Sequence, residues 1–134
     1  MDIASVEYHR PLLEAVLQTH APQPVDLLLV PDIASWAVGG CGNAKGNPVA
    51  MAVVDQQTKG WGILVRQTID AERVRSVTDR ICFARTSDAR TLISTPETFL
   101  KHLVLHELAH LVNHWDQSKE DECDDWAFEK LAAV

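Results

Sequence analysis

The spacing of apolar residues divides the chain into short segments of differing period. From about Ser5 to Thr19, Leu12, Leu13, Val16 and Leu17 recur at helical spacing, with Pro11 near the helix start or at a kink. Ala21-Pro22-Gln23-Pro24 is turn-forming, and the apolar run from Val25 to Val30 reads as a strand or a buried helical turn. Val49 to Asp55 and Trp61 to Thr68 are strand-like, and Gln56 to Gly60 between them suits a β-hairpin. Asp70 to Ile93 mixes charges with short apolar groups, and Arg80-Ile81-Cys82-Phe83-Ala84 within it reads as another strand. The strongest signal is Thr95 to Val112, where Thr95 is placed to cap a helix, Pro96 to open it and Glu97 to meet its positive end. A last helix opens at Ser118 and runs to about Ala132, with Cys123, Ala127 and Leu131 as its apolar stripe and Trp126 and Phe128 flanking. These elements predict an α+β domain in which an N-terminal helix and a short antiparallel sheet pack on the helix at 95–112 and on the C-terminal helix.

Within the strongest helix, Val104, Leu105, Leu108, Leu111 and Val112 fill one side, and His106-Glu107-Leu108-Ala109-His110 runs along the other. A helix this apolar is buried, and its imidazoles would be costly there without partners. Residues four apart on a helix differ in direction by only about 40° and stand one turn apart, so His106 and His110 can reach one ion. Glu107 lies about 60° beyond His110, within reach of a metal-bound water. This is the H-E-x-x-H pattern of zinc hydrolases, with two histidine ligands and a glutamate base. His102 and His114 continue the stripe one turn either way; both read as packing or hydrogen-bonding neighbours, with His114 the candidate for a transition-state role.

Catalytic zinc needs a third protein ligand and leaves its fourth position to water. Glu120, Asp121 and Glu122 follow closely, and acids in a first helical turn can be there for the helix dipole alone. Direction separates them: Glu120 is only about 20° from Ala127 and points inward, whereas Glu122 is about 140° away and faces solvent. Asp124 shares the side of Glu120 and is placed to accept a hydrogen bond from the second ring nitrogen of a ligating histidine. The competitor is Asp116, which completes an H-E-x-x-H-x-x-G-x-x-H/D pattern if Asn113 takes the left-handed turn usually given to glycine. That spacing resembles the metzincins, but their methionine turn has no counterpart, since Met51 is the last methionine.

Composition narrows the function. A chain of 134 residues, 46% hydrophobic, suggests a single domain with its own core and no separate substrate-recognition domain. Its net charge of -7 argues against direct nucleic-acid binding. No apolar run approaches membrane-spanning length, and Met1-Asp2-Ile3 lacks the basic start of a signal peptide. Three cysteines, Cys41, Cys82 and Cys123, without a C-x-x-C, fit a reducing cytoplasm. The loop from Gly39 to Pro48 lacks the Gly-Lys-Ser/Thr ending of a phosphate-binding loop and reads as a flexible connection. The hairpin either offers an edge strand to an extended peptide or only covers the active helix.

The two motifs together resemble the ImmA/IrrE family of small metallopeptidase-like proteins, within the gluzincin group. Its second motif, like E-x-x-A-N/D-x-F-A, is matched by Glu120-Asp121-Glu122-Cys123-Asp124-Asp125-Trp126-Ala127, with Cys in place of Ala and Trp in place of Phe. The resemblance covers roughly the last forty residues. It implies a zincin-like fold, His106, His110 and Glu120 as ligands of zinc, Glu107 as catalytic base, and a protein or peptide substrate such as a regulatory repressor. Tyr8, His114 and the arginines are open as oxyanion stabilisers. The rival from another class is a non-catalytic zinc-containing binding or regulatory module of the same fold.

Overall fold

The computed structural model describes residues 1–34 and 48–132. The glycine-rich segment with Cys41 therefore lies outside the described residues, except for Pro48 at its end. A turn of 3-10 helix at Glu7–His9 leads into α1, Arg10–His20, with Pro11 in the first turn, where a missing N–H costs nothing. Leu13 and Leu17, one turn apart, are the residues α1 buries.

Three strands follow: β1 (Val25–Val30), β2 (Ala50–Val54) and β3 (Trp61–Arg66), in the order β1-β3-β2. The expected hairpin is present, with β2 and β3 antiparallel and Ala52 opposite Ile63. Its turn is organised by Asp55, whose carboxylate accepts from the backbone N–H groups of Gln57 and Thr58 at 2.8 and 3.0 Å. The sheet as a whole is not antiparallel as expected, because β1 runs parallel to β3, with Leu27 opposite Ile63. A tight turn dictates the direction of its own two strands, whereas β1 reaches the sheet through a long connection that carries no local signal of direction. The central strand is β3, whose Gly62 to Val65 are buried; β2 is left at an edge.

Residues 70–93 form helices rather than a strand. Asp70 caps α2 (Ala71–Cys82) by accepting from the Arg73 N–H at 2.8 Å, and α3 (Ser87–Leu92) follows. The run Arg80 to Ala84 fails as a strand because Ile81 completes the buried stripe Val74, Thr78, Ile81, at helical intervals. Phe83 beyond it is 83% exposed and Ala84 is left-handed, with φ 61°.

The long helix α4, Pro96–Asn113, opens with a reciprocal cap: the Thr95 hydroxyl accepts from the Thr98 N–H and the Thr98 hydroxyl from the Thr95 N–H. Phe99, Leu100, Leu103, Val104, Leu105, Leu108 and Leu111 are buried around it, so the helix is enclosed on nearly every side. Helix α1 and the β2–β3 hairpin cover part of it, and its largest neighbour is α5, Glu120–Ala132. Between α4 and α5, Asp116 rather than Ser118 supplies the cap, accepting from the Ser118 N–H to open a 3-10 turn at Gln117–Lys119. No helix among the described residues is long and apolar enough to cross a membrane.

Candidate metal centre

The site forms where α5 lies along the polar stripe of α4. His106 and His110 project from successive turns of α4, and Glu120, in the first turn of α5, reaches between them. Glu120 Oε2 is 2.8 Å from His106 Nε2, and Oε1 is 3.1 Å from His110 Nε2. The other nitrogen of each ring is also engaged. His106 Nδ1 is 2.6 Å from Asp124 Oδ1, and His110 Nδ1 is 2.8 Å from the Trp115 carbonyl oxygen. Both partners are acceptors, so each Nδ1 carries a proton and each Nε2 is turned toward Glu120.

The electrostatics follow from burial and these contacts. Burial pushes His106 down, but its hydrogen bonds to Asp124 and Glu120 outweigh this and raise it to about 10. The bond to Glu120 is the chief cause that raises His110. Glu120, half-buried, is pushed up by desolvation, but the two imidazoles hold it well below the usual carboxylate range. Two rings thus share one carboxylate. Two imidazoles and a carboxylate, with the rings oriented from behind, are a donor set that suits zinc.

A second α5 donor lies beside the first. Cys123 is fully buried, and its Sγ and one ring nitrogen of each of His106 and His110 all lie within 4.8 Å of one another, a group that can hold a metal ion. Glu120 makes the closer contacts to both rings and is the primary third donor on geometry. Burial, then the fields of Glu120, Glu107 and Asp124, push the Cys123 thiol up to about 12. The pattern reading placed Cys123 only in an apolar stripe; its offset of three residues from the inward-facing Glu120 was the signal that it shares the metal's side of α5.

Glu107 stands next to the pair. Its side chain is 12% exposed, with Oε2 3.9 Å from His106 Nε2. Oε1 accepts the Ala52 N–H of the edge strand β2 at 3.1 Å. Desolvation raises its pKa against the pull of the two imidazoles, the direction a general base working near neutrality needs. An open cleft of about 740 Å³ fronts these groups, bounded by β2, by Arg73, Val77 and Arg80 of α2, and by His106, Glu107, His110 and Glu120.

Four other residues do not join them. His114 takes the left-handed turn, φ 54°, that the metzincin spacing would give Asn113, and it is exposed. It lines a neighbouring cavity and not the cleft that holds Glu107. Asp116, the alternative third ligand, is exposed at the rim, with Oδ1 accepting from the Ser118 N–H and hydroxyl. The helix runs through Asn113 and breaks one residue later, at His114. Tyr8, 81% exposed, lines neither cavity. His102 is buried in the stripe against the Phe128 ring at 4.4 Å, its nitrogens unpartnered among the described residues and Asp124 3.9 Å away. Burial lowers it to about 4, so it is a neutral packing residue.

No protein-family model, no curated protein and no solved structure matches this chain.

Proposed function

We propose that the chain is a zinc-dependent metallopeptidase with a zincin-like fold, similar to the ImmA/IrrE proteins, that hydrolyses a peptide bond in a protein substrate in a reducing cytoplasm. The observation that carries the reading is the convergence of both Nε2 atoms on Glu120 while Asp124 and the Trp115 carbonyl hold both Nδ1 atoms. His106, His110 and Glu120 would hold the ion. Zinc, when bound, lowers the pKa of a water and polarises the scissile carbonyl.

Glu107 supplies the base. The Ala52 N–H fixes Oε1, which leaves Oε2 as the atom that takes the water's proton and returns it to the leaving amine. The strand itself supports substrate binding. The Arg66 N–H bonds the Val49 carbonyl, so by the alternation of an antiparallel pair Met51 and Val53 bond inward and Ala50, Ala52 and Val54 direct their backbone groups to what is, among the described residues, the outer edge of the sheet, where the Ala52 N–H is taken by Glu107. An extended peptide pairing with that edge lies along the cleft and across Glu107.

Glu107→Gln tests the reading. With zinc-loaded protein and a mixed peptide library read by mass spectrometry, the wild type cleaves, and the variant keeps its zinc while its rate falls by about 10² to 10⁴. Equal cleavage by the variant would remove Glu107 from the chemistry, and a wild type that holds zinc without cleaving any peptide would favour the binding-module reading.

A further inference from the structure

Neither the hydrolytic chemistry nor the family resemblance gives Cys123 a role, yet it sits inside the metal chamber. We propose that Cys123 is a fourth protein donor to the ion held by His106, His110 and Glu120, taking in the resting protein the position that water takes during hydrolysis, and favouring thiophilic divalent cations. The inference rests on the metal reading, not on hydrolysis.

The geometry carries it. Glu120 and Cys123 are three residues apart on α5, so they approach the imidazoles from the same side. The sulfur and one nitrogen of each ring stand within 4.8 Å of one another. Around a tetrahedral zinc, a sulfur and a nitrogen donor are about 3.6 Å apart, so the group must close by about an ångström, within the reach of a side-chain torsion. Glu120 draws the two rings together from the same helix, its oxygens 2.8 and 3.1 Å from their Nε2 atoms. Packing alone explains why Cys123 is buried but not why its sulfur stands beside both ligating rings. A thiolate donor in turn biases the site toward softer ions.

Cobalt(II) and cadmium(II) are the probes. The full chain is stripped with a chelator, reloaded with cobalt(II), and compared with Cys123→Ala and with the double variant Cys41→Ala/Cys82→Ala, in which Cys123 is the sole cysteine. The expected result is a thiolate-to-cobalt charge-transfer band in the near ultraviolet for wild type and double variant, absent from Cys123→Ala. Cadmium affinity should fall by more than about tenfold in Cys123→Ala, the least that loss of even an outer partner costs, and by more than zinc affinity does. Bound cobalt without that band, or a band that survives in Cys123→Ala, overturns the proposal. Should Cys123→Ala fail to fold, the double variant alone decides it. If wild type takes up no cobalt, the metal reading falls and this inference with it, whereas a sulfur band leaves the inference standing, and the hydrolase reading is refuted only if zinc-loaded Cys123→Ala, whose fourth position is open, also cleaves no peptide.

Discussion

Asp124 provides the sharpest test of how the site is built, because it touches the metal pair only through a ring. Its carboxylate and the His106 ring are each 5% exposed, and the contact between them is 2.6 Å. Asp124→Ala leaves the Nδ1 proton of His106 without an acceptor in a place water hardly reaches. An unsatisfied buried donor costs about 1–3 kcal/mol, and removal of one partner of a buried ion pair about 3–5 kcal/mol. The metal-free protein should therefore lose about 3 kcal/mol in urea denaturation. Zinc affinity, measured by competition with a chromophoric chelator, should fall by about 10- to 100-fold, the usual effect of losing a histidine's outer partner. Asp125→Ala is the control, since its pair with Arg85 is a surface contact in which Asp125 is 67% exposed, worth less than about 1 kcal/mol. Asp124→Asn should recover part of the affinity, because its carbonyl oxygen can still accept from Nδ1. If Asp124→Ala matches Asp125→Ala in zinc affinity, the tautomer of His106 is not set by Asp124 and the argument from ring orientation fails.

Other consequences are equally direct. Zinc content by elemental analysis should be about one per chain in wild type and in Asp116→Ala, reduced in Glu120→Ala, where Cys123 is left as third donor, and lost when Glu120 and Cys123 are both replaced by Ala; loss with Asp116→Ala alone would reverse the choice of third ligand. Metal-free stability should depend on pH through two groups of opposite sign. His106 is raised from 6.5 to about 10, so its stabilisation is full below 6.5 and drains away as the pH rises toward 10. His102 is lowered from 6.5 to about 4, so the folded state loses stability as the pH falls from 6.5 toward 4, where only the unfolded chain takes up its proton. Chelator-treated protein should be most stable near pH 6.5 in urea titrations, and His102→Phe should flatten the acid limb alone. An acid limb that persists unchanged in His102→Phe would show that another group causes it.

Much of the site was legible because helical angle carries it. The four-residue step from His106 to His110 and the inward direction of Glu120 and Asp124 follow from one period, and α4 and α5 meet along those faces. The cap at Thr95 and the hairpin were equally local. Contexts beyond the local window were not. The direction of β1 depends on how it meets β3, a contact across more than thirty residues. The helix at Ala71–Cys82 was hidden because only Val74, Thr78 and Ile81 face inward while its other side is charged, and Phe83 next to it mimicked an apolar run. The end of α4 slipped by one residue: Asn113 uses its side-chain amide to reach the Ala109 carbonyl, at 3.1 Å, and His114 takes the left-handed turn instead.

The burial of α4 explains why the metal chamber needs an ion-like centre. His102, His106 and His110 follow one another along the stripe, but only His102 can be left neutral against Phe128. His106 and His110 face two carboxylates from α5 and a third, Glu107, from their own helix. Three acids and two neutral rings would leave uncompensated negative charge between two packed helices, which the interior does not tolerate. In the metal-free protein the compensation comes from protons on the rings, the reason His106 is held so basic. A divalent cation provides the same positive charge at one point and frees the Nε2 lone pairs to bind it, so metal uptake must expel those protons and strengthen as the pH rises. The acids on α5 that make the helix pair awkward without a cation are the same acids that would define its coordination.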